Sequence, residues 1–295
     1  MQFRGLILVP VTAVVLGTLL AAAQSRPAAA PATVPGHTDV EYLAHVARIS
    51  RALPGFTVVV QKPFVMAGDD VPEAVRATGV RTVKWAVDHL KQDFLAKDPV
   101  DLIDIYLFKD KASYDRYTKD YFKDPAISPY GYYSPTHKAL IMNISTGGGT
   151  LVHEIVHPFM AANFPACPTW FNEGLASLYE QSEDRGGHIH GRTNWRLAGL
   201  QQAIKAKSLS SFKDLCATTA TQFYNQDRGA NYAQARYLCY YLQEKGVLGK
   251  FYREFAANHK ADPTGYKTLQ RVLGEADMGA FQKNWEEYVL GLRFP

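Results

Sequence analysis

Apolar positions recur at three- and four-residue spacing near residues 39–52, which predicts a first amphipathic helix. Phe56 to Met66 is rich in Val and Phe and is interrupted by Pro63, so it reads as a broken strand. A long helix is expected over 72–96, with Pro72 near its first position after Asp70. Asp101 to Phe108 reads DLIDIYLF, a strand, and a short helix is expected near 111–122. Residues 129–144 have the form of a hairpin: GYY, a turn at Ser134-Pro135-Thr136, then KALIMNI. Beyond them the pattern is almost wholly helical, near 150–164, 168–182, 193–206, 229–245, 248–259 and 277–291. No internal repeat is present. Strands gathered early and helices late predict an α+β fold. In that reading a small mixed β-sheet lobe occupies 38–182 and a mostly helical lobe occupies 183–295.

Composition adds little to this picture but excludes some functions. The chain has 295 residues, 47% of them hydrophobic and 20% charged, the balance of an ordinary globular protein. A net charge of +4, with no run of five like charges, does not suggest a nucleic-acid partner. The N-terminus changes the picture more. Arg4 precedes an uncharged stretch, Gly5 to Ala23, that ends in three alanines before Gln24. This is the pattern of a signal peptide over 1–24, followed by a Pro/Ala-rich linker over 25–37. The expected location is outside the cytoplasm: secreted, periplasmic or in the cell envelope. The other reading of the same stretch is a retained membrane anchor. No later segment is long and apolar enough to span a bilayer.

There are three cysteines, at 167, 216 and 239. Export permits a disulfide, and Cys167 with Cys216 is the pairing expected from two loop positions; three buried thiols is the alternative. With no C-x-x-C, a cysteine-held metal cluster is excluded.

The chemistry lies in Thr150-Leu151-Val152-His153-Glu154-Ile155-Val156-His157. On a helix, His153 and His157 share one face and can reach a single ion, while Glu154 points to the side and can take a proton from an attacking water. Thr150, after three glycines, is a candidate cap. Pro158 is expected to kink the helix beside His157. A second helix opens at Pro168-Thr169-Trp170-Phe171-Asn172-Glu173, and Glu173 stands sixteen residues after His157. Its apolar setting argues against a solvated acid. A catalytic zinc takes three protein ligands and keeps one position open, and Glu173 supplies the third.

HEIVH followed by WFNEGLASLYE resembles the gluzincin zinc metallopeptidases, in particular the peptidase MA-like families, and is similar in pattern to aminopeptidase N-type enzymes. The resemblance is specific over about residues 130–182. It implies a zincin active-site helix, one Zn2+ per chain held by His153, His157 and Glu173, and Glu154 as general base in peptide-bond hydrolysis. It also implies that KALIMNI is an edge strand that pairs with an extended peptide or protein substrate. No Gly-x-Met-x-Asn-type motif is present, so recognition of a free amino terminus is not implied. Such enzymes often use a downstream Tyr or His as oxyanion donor. Tyr232 is the first candidate here, ahead of Tyr132, Tyr133 and His190. Ser177 could steady Glu173. His188 and His190 are read as part of a solvated loop, with a flap or a second metal site as alternatives. The competing functional reading is a zinc-binding but noncatalytic peptide-binding or scaffold protein of the cell envelope.

Overall fold

Thr38 opens the first helix, α1 (Asp39–Ala52), through a reciprocal cap in which its hydroxyl accepts from the Glu41 N–H and the Glu41 carboxylate accepts from the Thr38 N–H. The structure is a computed structural model describing residues 36–124, 128–226 and 228–294, which form one compact unit. The expected signal peptide and most of the expected linker lie outside the described residues. Among the described residues no helix is long and apolar enough to cross a membrane.

Strands β1 (Thr57–Gln61) and β2 (Phe64–Gly68) pair antiparallel around the Lys62–Pro63 turn. The helical stretch that follows is continuous: α2 (Pro72–Thr78), a π-helical turn at Gly79–Lys84, and α3 (Trp85–Asp93). Strand β3 (Ile103–Phe108) returns parallel to β2, and α4 (Lys111–Asp120) starts at a cap made by Asp110. The hairpin of β4 (Gly131–Ser134) and β5 (Ala139–Asn143) completes a five-stranded mixed sheet of order β1-β2-β3-β5-β4.

Period-two alternation sorts each strand between two cores. From β3, Ile103, Ile105 and Leu107 enter the larger core, and Tyr106 and Phe108 enter the smaller one beneath α1 and α4. Asp104 is buried on the α1 side, where His45 lies 3.1 Å from one carboxylate oxygen and Arg48 donates to the other. The expected edge strand, KALIMNI, is corrected by this topology. Strand β5 is interior and buried at every position, and the sheet ends at β4. Parallel pairing to β3 on one side and antiparallel pairing to β4 on the other leave β5 no open edge.

The second half is helical: α5 (Gly149–Asn163), α6 (Thr169–Leu178), a short hairpin of β6 (Ser182–Arg185) and β7 (His188–Gly191), α7 (Arg196–Lys205), α8 (Phe212–Ala217), α9 (Ala220–Asn225), α10 (Arg228–Glu244), α11 (Leu248–Asn258), α12 (Tyr266–Leu273) and α13 (Met278–Gly291). An α+β fold is therefore present, with the sheet early and the helices late. The two halves share one core, which runs without a break from Phe64 to Val289. The expected helix over 168–182 ends at Leu178, and the expected solvated loop around 188–190 is the β6–β7 hairpin. Helices α8 and α9 escape a periodicity reading because each has six residues and is started by a cap, at Ser211 and Thr219.

Helices α6 and α10 approach closely at Gly174, where an added Cβ would lie 2.9 Å from the Ala235 carbonyl oxygen and 3.1 Å from Cys239 Sγ. Trp170, Phe171 and Leu175 of α6 are fully buried, each contributing about 1.5–3 kcal/mol of transfer free energy. The expected Cys167–Cys216 disulfide is absent: all three cysteines are free thiols. Cys216 lies in α8 rather than in a loop and is buried, and burial pushes all three thiols well above the usual range.

Candidate metal centre

Helix α5 begins two residues earlier than a Thr150 cap would place it, and no side chain caps it. Glycine is required at its first position: a Cβ on Gly149 would stand 2.2 Å from the carbonyl oxygen of Glu180. That contact sets the start of α5 against the end of α6. The helix then runs through Pro158 to Asn163, so the proline does not end it and His157 keeps its aim.

His153, His157 and Glu173 come together: one ligand atom from each lies within 4.8 Å of the others. Glu173 Oε2 stands 3.2 Å from His153 Nε2 and 3.9 Å from His157 Nε2. This oxygen is buried and has no hydrogen-bond partner. A buried carboxylate oxygen left unpaired costs free energy, and a cation among the three donors would remove that cost. Two imidazole nitrogens and one carboxylate oxygen also form the donor set of a metal site with an open position. The residues fit a metal ion.

Other side chains fix the orientation of each donor. The Asn172 side-chain oxygen accepts from His157 Nδ1 at 3.2 Å, which leaves Nε2 as the free lone pair. His153 Nδ1 faces Glu180 Oε1 at 3.2 Å, off the line of a good hydrogen bond. Glu180 is held in turn by Arg196, whose Nε and terminal nitrogen donate to its two oxygens at 3.0 and 2.7 Å, and by Asn194 at 3.1 Å. The end of α6 that delivers Glu180 is fixed by buried Arg236. Its Nε donates to the Ser177 carbonyl at 2.9 Å, and its guanidinium also donates to the carbonyls of Leu178 and Arg192. The outer oxygen of Glu173 accepts from the Tyr224 hydroxyl at 2.6 Å.

No family model matches this chain, and neither does any curated protein. The site must therefore be argued from its own geometry.

The charges of the donors are linked. Burial by itself favours a neutral His153, but Glu173 and Glu180 outweigh it and push the ring up to about 10. Burial likewise works against the Glu173 carboxylate. His157, His153 and the Tyr224 hydroxyl overcome it and pull the group down to about 2. Glu180, facing His153 and Arg196, is also drawn to about 2 against the penalty of burial. Both carboxylates thus favour the charged form of the His153 ring.

Glu154 follows His153 on α5, is half-buried, and has no hydrogen bond or ion pair to another described side chain. Tyr232 packs its half-buried ring 5.1 Å from Phe223 and 6.3 Å from Tyr224, beneath the Arg196 guanidinium at 5.1 Å. The Tyr224 hydroxyl reaches the trio through Glu173 Oε1. Tyr132 donates to Asp124 at 2.9 Å, Tyr133 is half-buried in β4, and His190 lies 3.0 Å from Glu244. Ser177 is buried with its hydroxyl unpartnered, so it does not hold Glu173. His188 and His190 are not part of a second metal cluster among the described residues.

Sequence reasoning missed Glu180, Arg196, Asn194, Asn172 and Tyr224. Two of these carried a signal. Asn172 stands beside Glu173 and Glu180 two residues past the end of α6, both inside the motif WFNEGLASLYE. Tyr224 is 51 residues from Glu173 on a six-residue helix, and nothing local marks it.

Proposed function

We propose that this chain is a zinc-dependent metallopeptidase of the gluzincin type. The observation that carries the reading is the buried, unpartnered Glu173 Oε2 turned toward Nε2 of both motif histidines. Nitrogen and oxygen donors in this number favour zinc over magnesium or calcium. Zinc, when bound, supplies Lewis-acid activation of water and of a substrate carbonyl.

The protein's own residues do the rest. Glu154, unpaired beside the histidines, takes the proton of the attacking water on its carboxylate and passes it to the leaving amine nitrogen. The Tyr224 hydroxyl is committed to the outer oxygen of Glu173, and Tyr232, packed beside it, is the candidate oxyanion donor. Glu180 and Asn172 keep both imidazoles turned with Nε2 inward. An extended peptide adds along β4, the terminal strand next to β5, by strand addition. The N-terminal sequence pattern supports a location outside the cytoplasm, with peptides or proteins as the substrate class.

The test is bound-metal stoichiometry on the purified protein, beside Glu173→Ala, together with hydrolysis of an unstructured protein such as casein. One zinc per chain, lost in the variant, with hydrolysis abolished by chelator and restored by zinc, supports the reading. Zinc bound with no hydrolysis of any peptide substrate would leave a binding module. No zinc after reconstitution would sink both.

A further inference from the structure

The β6–β7 hairpin is tied to the body of the protein by histidines paired with carboxylates. His89 of α3 reaches Asp184 of β6, with Nε2 to Oδ2 at 2.6 Å. His188 Nδ1 of β7 lies 2.5 Å from Asp93 Oδ1 of α3, and the Ile189 N–H donates to the other Asp93 oxygen at 3.1 Å. His190 Nε2 lies 3.0 Å from Glu244 Oε1 of α10. The hairpin is also one wall of a cleft of about 570 Å³ that has Asp93, Phe94, Tyr179, Glu244 and Leu248 opposite.

His89 differs from the other two. Its Nδ1 is 2.7 Å from the Trp85 carbonyl oxygen, while its Nε2 faces the Asp184 carboxylate. Both partners are acceptors. A neutral imidazole has one N–H and would turn a lone pair on one of these oxygens. The geometry therefore requires a proton on both nitrogens, or one on Asp184. Asp184 also accepts from the Gly187 N–H at 3.0 Å, and that bond, followed by His89, holds its carboxyl below the usual range, so the proton belongs to the ring. The Trp85 ring, 4.8 Å from that of His89, gives an imidazolium a further favourable face.

We propose that His89 is an imidazolium clasp for the β6–β7 hairpin, closed while His89 is protonated and released when it loses that proton. The charges around it are consistent with this. The hairpin presents Asp184, and α3 itself contributes Asp93. Burial opposes the charge, yet these acids and the Trp85 carbonyl leave the ring raised above its ordinary range. The neighbouring cations are engaged elsewhere, Arg185 by Glu183 and Lys84 by Asp88, and the His188 ring pairs with Asp93. Deprotonation leaves one N–H for two acceptors and removes the charge that draws in Asp184, the acceptor that also organises the Gly186-Gly187 turn. The sign is that of a histidine with a raised folded-state value. The clasp is fully closed below the unfolded histidine value and opens as pH rises through the folded one.

The experiment uses the full chain and does not depend on metal or activity. The His89 ring protons are followed by NMR from pH 5.5 to 9, and exchange protection of the Ile189 and Gly191 amides is measured over the same range after correction for intrinsic exchange. Protection should fall about two- to fivefold along the His89 titration. In His89→Gln the low protection should hold at all pH values. In Asp184→Asn, which keeps the ring in place, the His89 midpoint should move down. Protection that does not change with pH in the wild type overturns the proposal. So does a step of unchanged size and midpoint in His89→Gln, or an unmoved His89 midpoint in Asp184→Asn.

Discussion

The Tyr224 hydroxyl and Glu173 Oε1 lie 2.6 Å apart, and this bond divides the carboxylate between two tasks. One oxygen belongs to the tyrosine, and the other faces the histidines. Tyr224→Phe removes the hydroxyl and keeps the ring packing. Zinc affinity measured by chelator competition should fall about 10- to 100-fold, with thermal stability nearly unchanged. Hydrolysis should fall in step with metal occupancy, because the hydroxyl supports the ligand carboxylate. Wild-type affinity in this variant would show that Glu173 needs no outer support.

Glu154→Gln separates metal binding from proton transfer. The amide cannot accept the proton, yet it fills the same space on α5. Zinc stoichiometry should stay near one per chain while kcat drops by a factor of about 10² to 10⁴. Full activity in this variant would refute the base assignment.

The Arg196–Glu180 pair should prove a structural liability when split. Glu180 is buried, and Arg196 covers both of its oxygens. Arg196→Leu leaves that charge without its main partner and should cost about 3 kcal/mol in urea denaturation. Adding Glu180→Gln to the same chain should return part of the loss, because the buried charge is then gone.

Metal binding should depend on pH with a definite sign. His153 carries a proton in the ion-free centre, held up to about 10, and a metal can only take a neutral imidazole. Affinity should therefore rise with pH, by about tenfold per unit below the His153 value, as one proton is released for each ion bound. Isothermal titration of zinc in buffers of different ionisation enthalpy measures that proton directly. A pH-independent affinity would place the proton elsewhere.

Gly174→Ala tests the contact between α6 and α10. The new methyl would meet the Ala235 carbonyl at 2.9 Å, a backbone group that cannot turn aside. A loss of about 1–3 kcal/mol is expected, with weaker zinc binding because Glu173 is the preceding residue.

Much of this arrangement was legible in the sequence because it is local. Periodicity located α1, β3, α5 and α11 to within a few residues, and the i, i+4 spacing put both histidines on one face. Glu173 was reachable because it lies on the next helix. The rest depends on packing between distant segments. Tyr224 and Arg196 meet the centre only because α10 draws α7 and α9 in around α6. The interior position of β5 could not be read from KALIMNI, since an apolar run does not say which neighbours pair with it. The β6–β7 hairpin was missed for the opposite reason: its residues are polar, and charge pairs with α3 and α10 order them.

All three cysteines remain unpaired, Cys216 and Cys239 buried and Cys167 half-buried, and desolvation suppresses the reactive thiolate of each. The fold therefore owes nothing to an oxidising compartment. It should assemble equally well in the presence of reductant, refold from urea without a disulfide isomerase, and show the same melting temperature with and without dithiothreitol. Among the described residues no covalent cross-link takes part in holding the chain together.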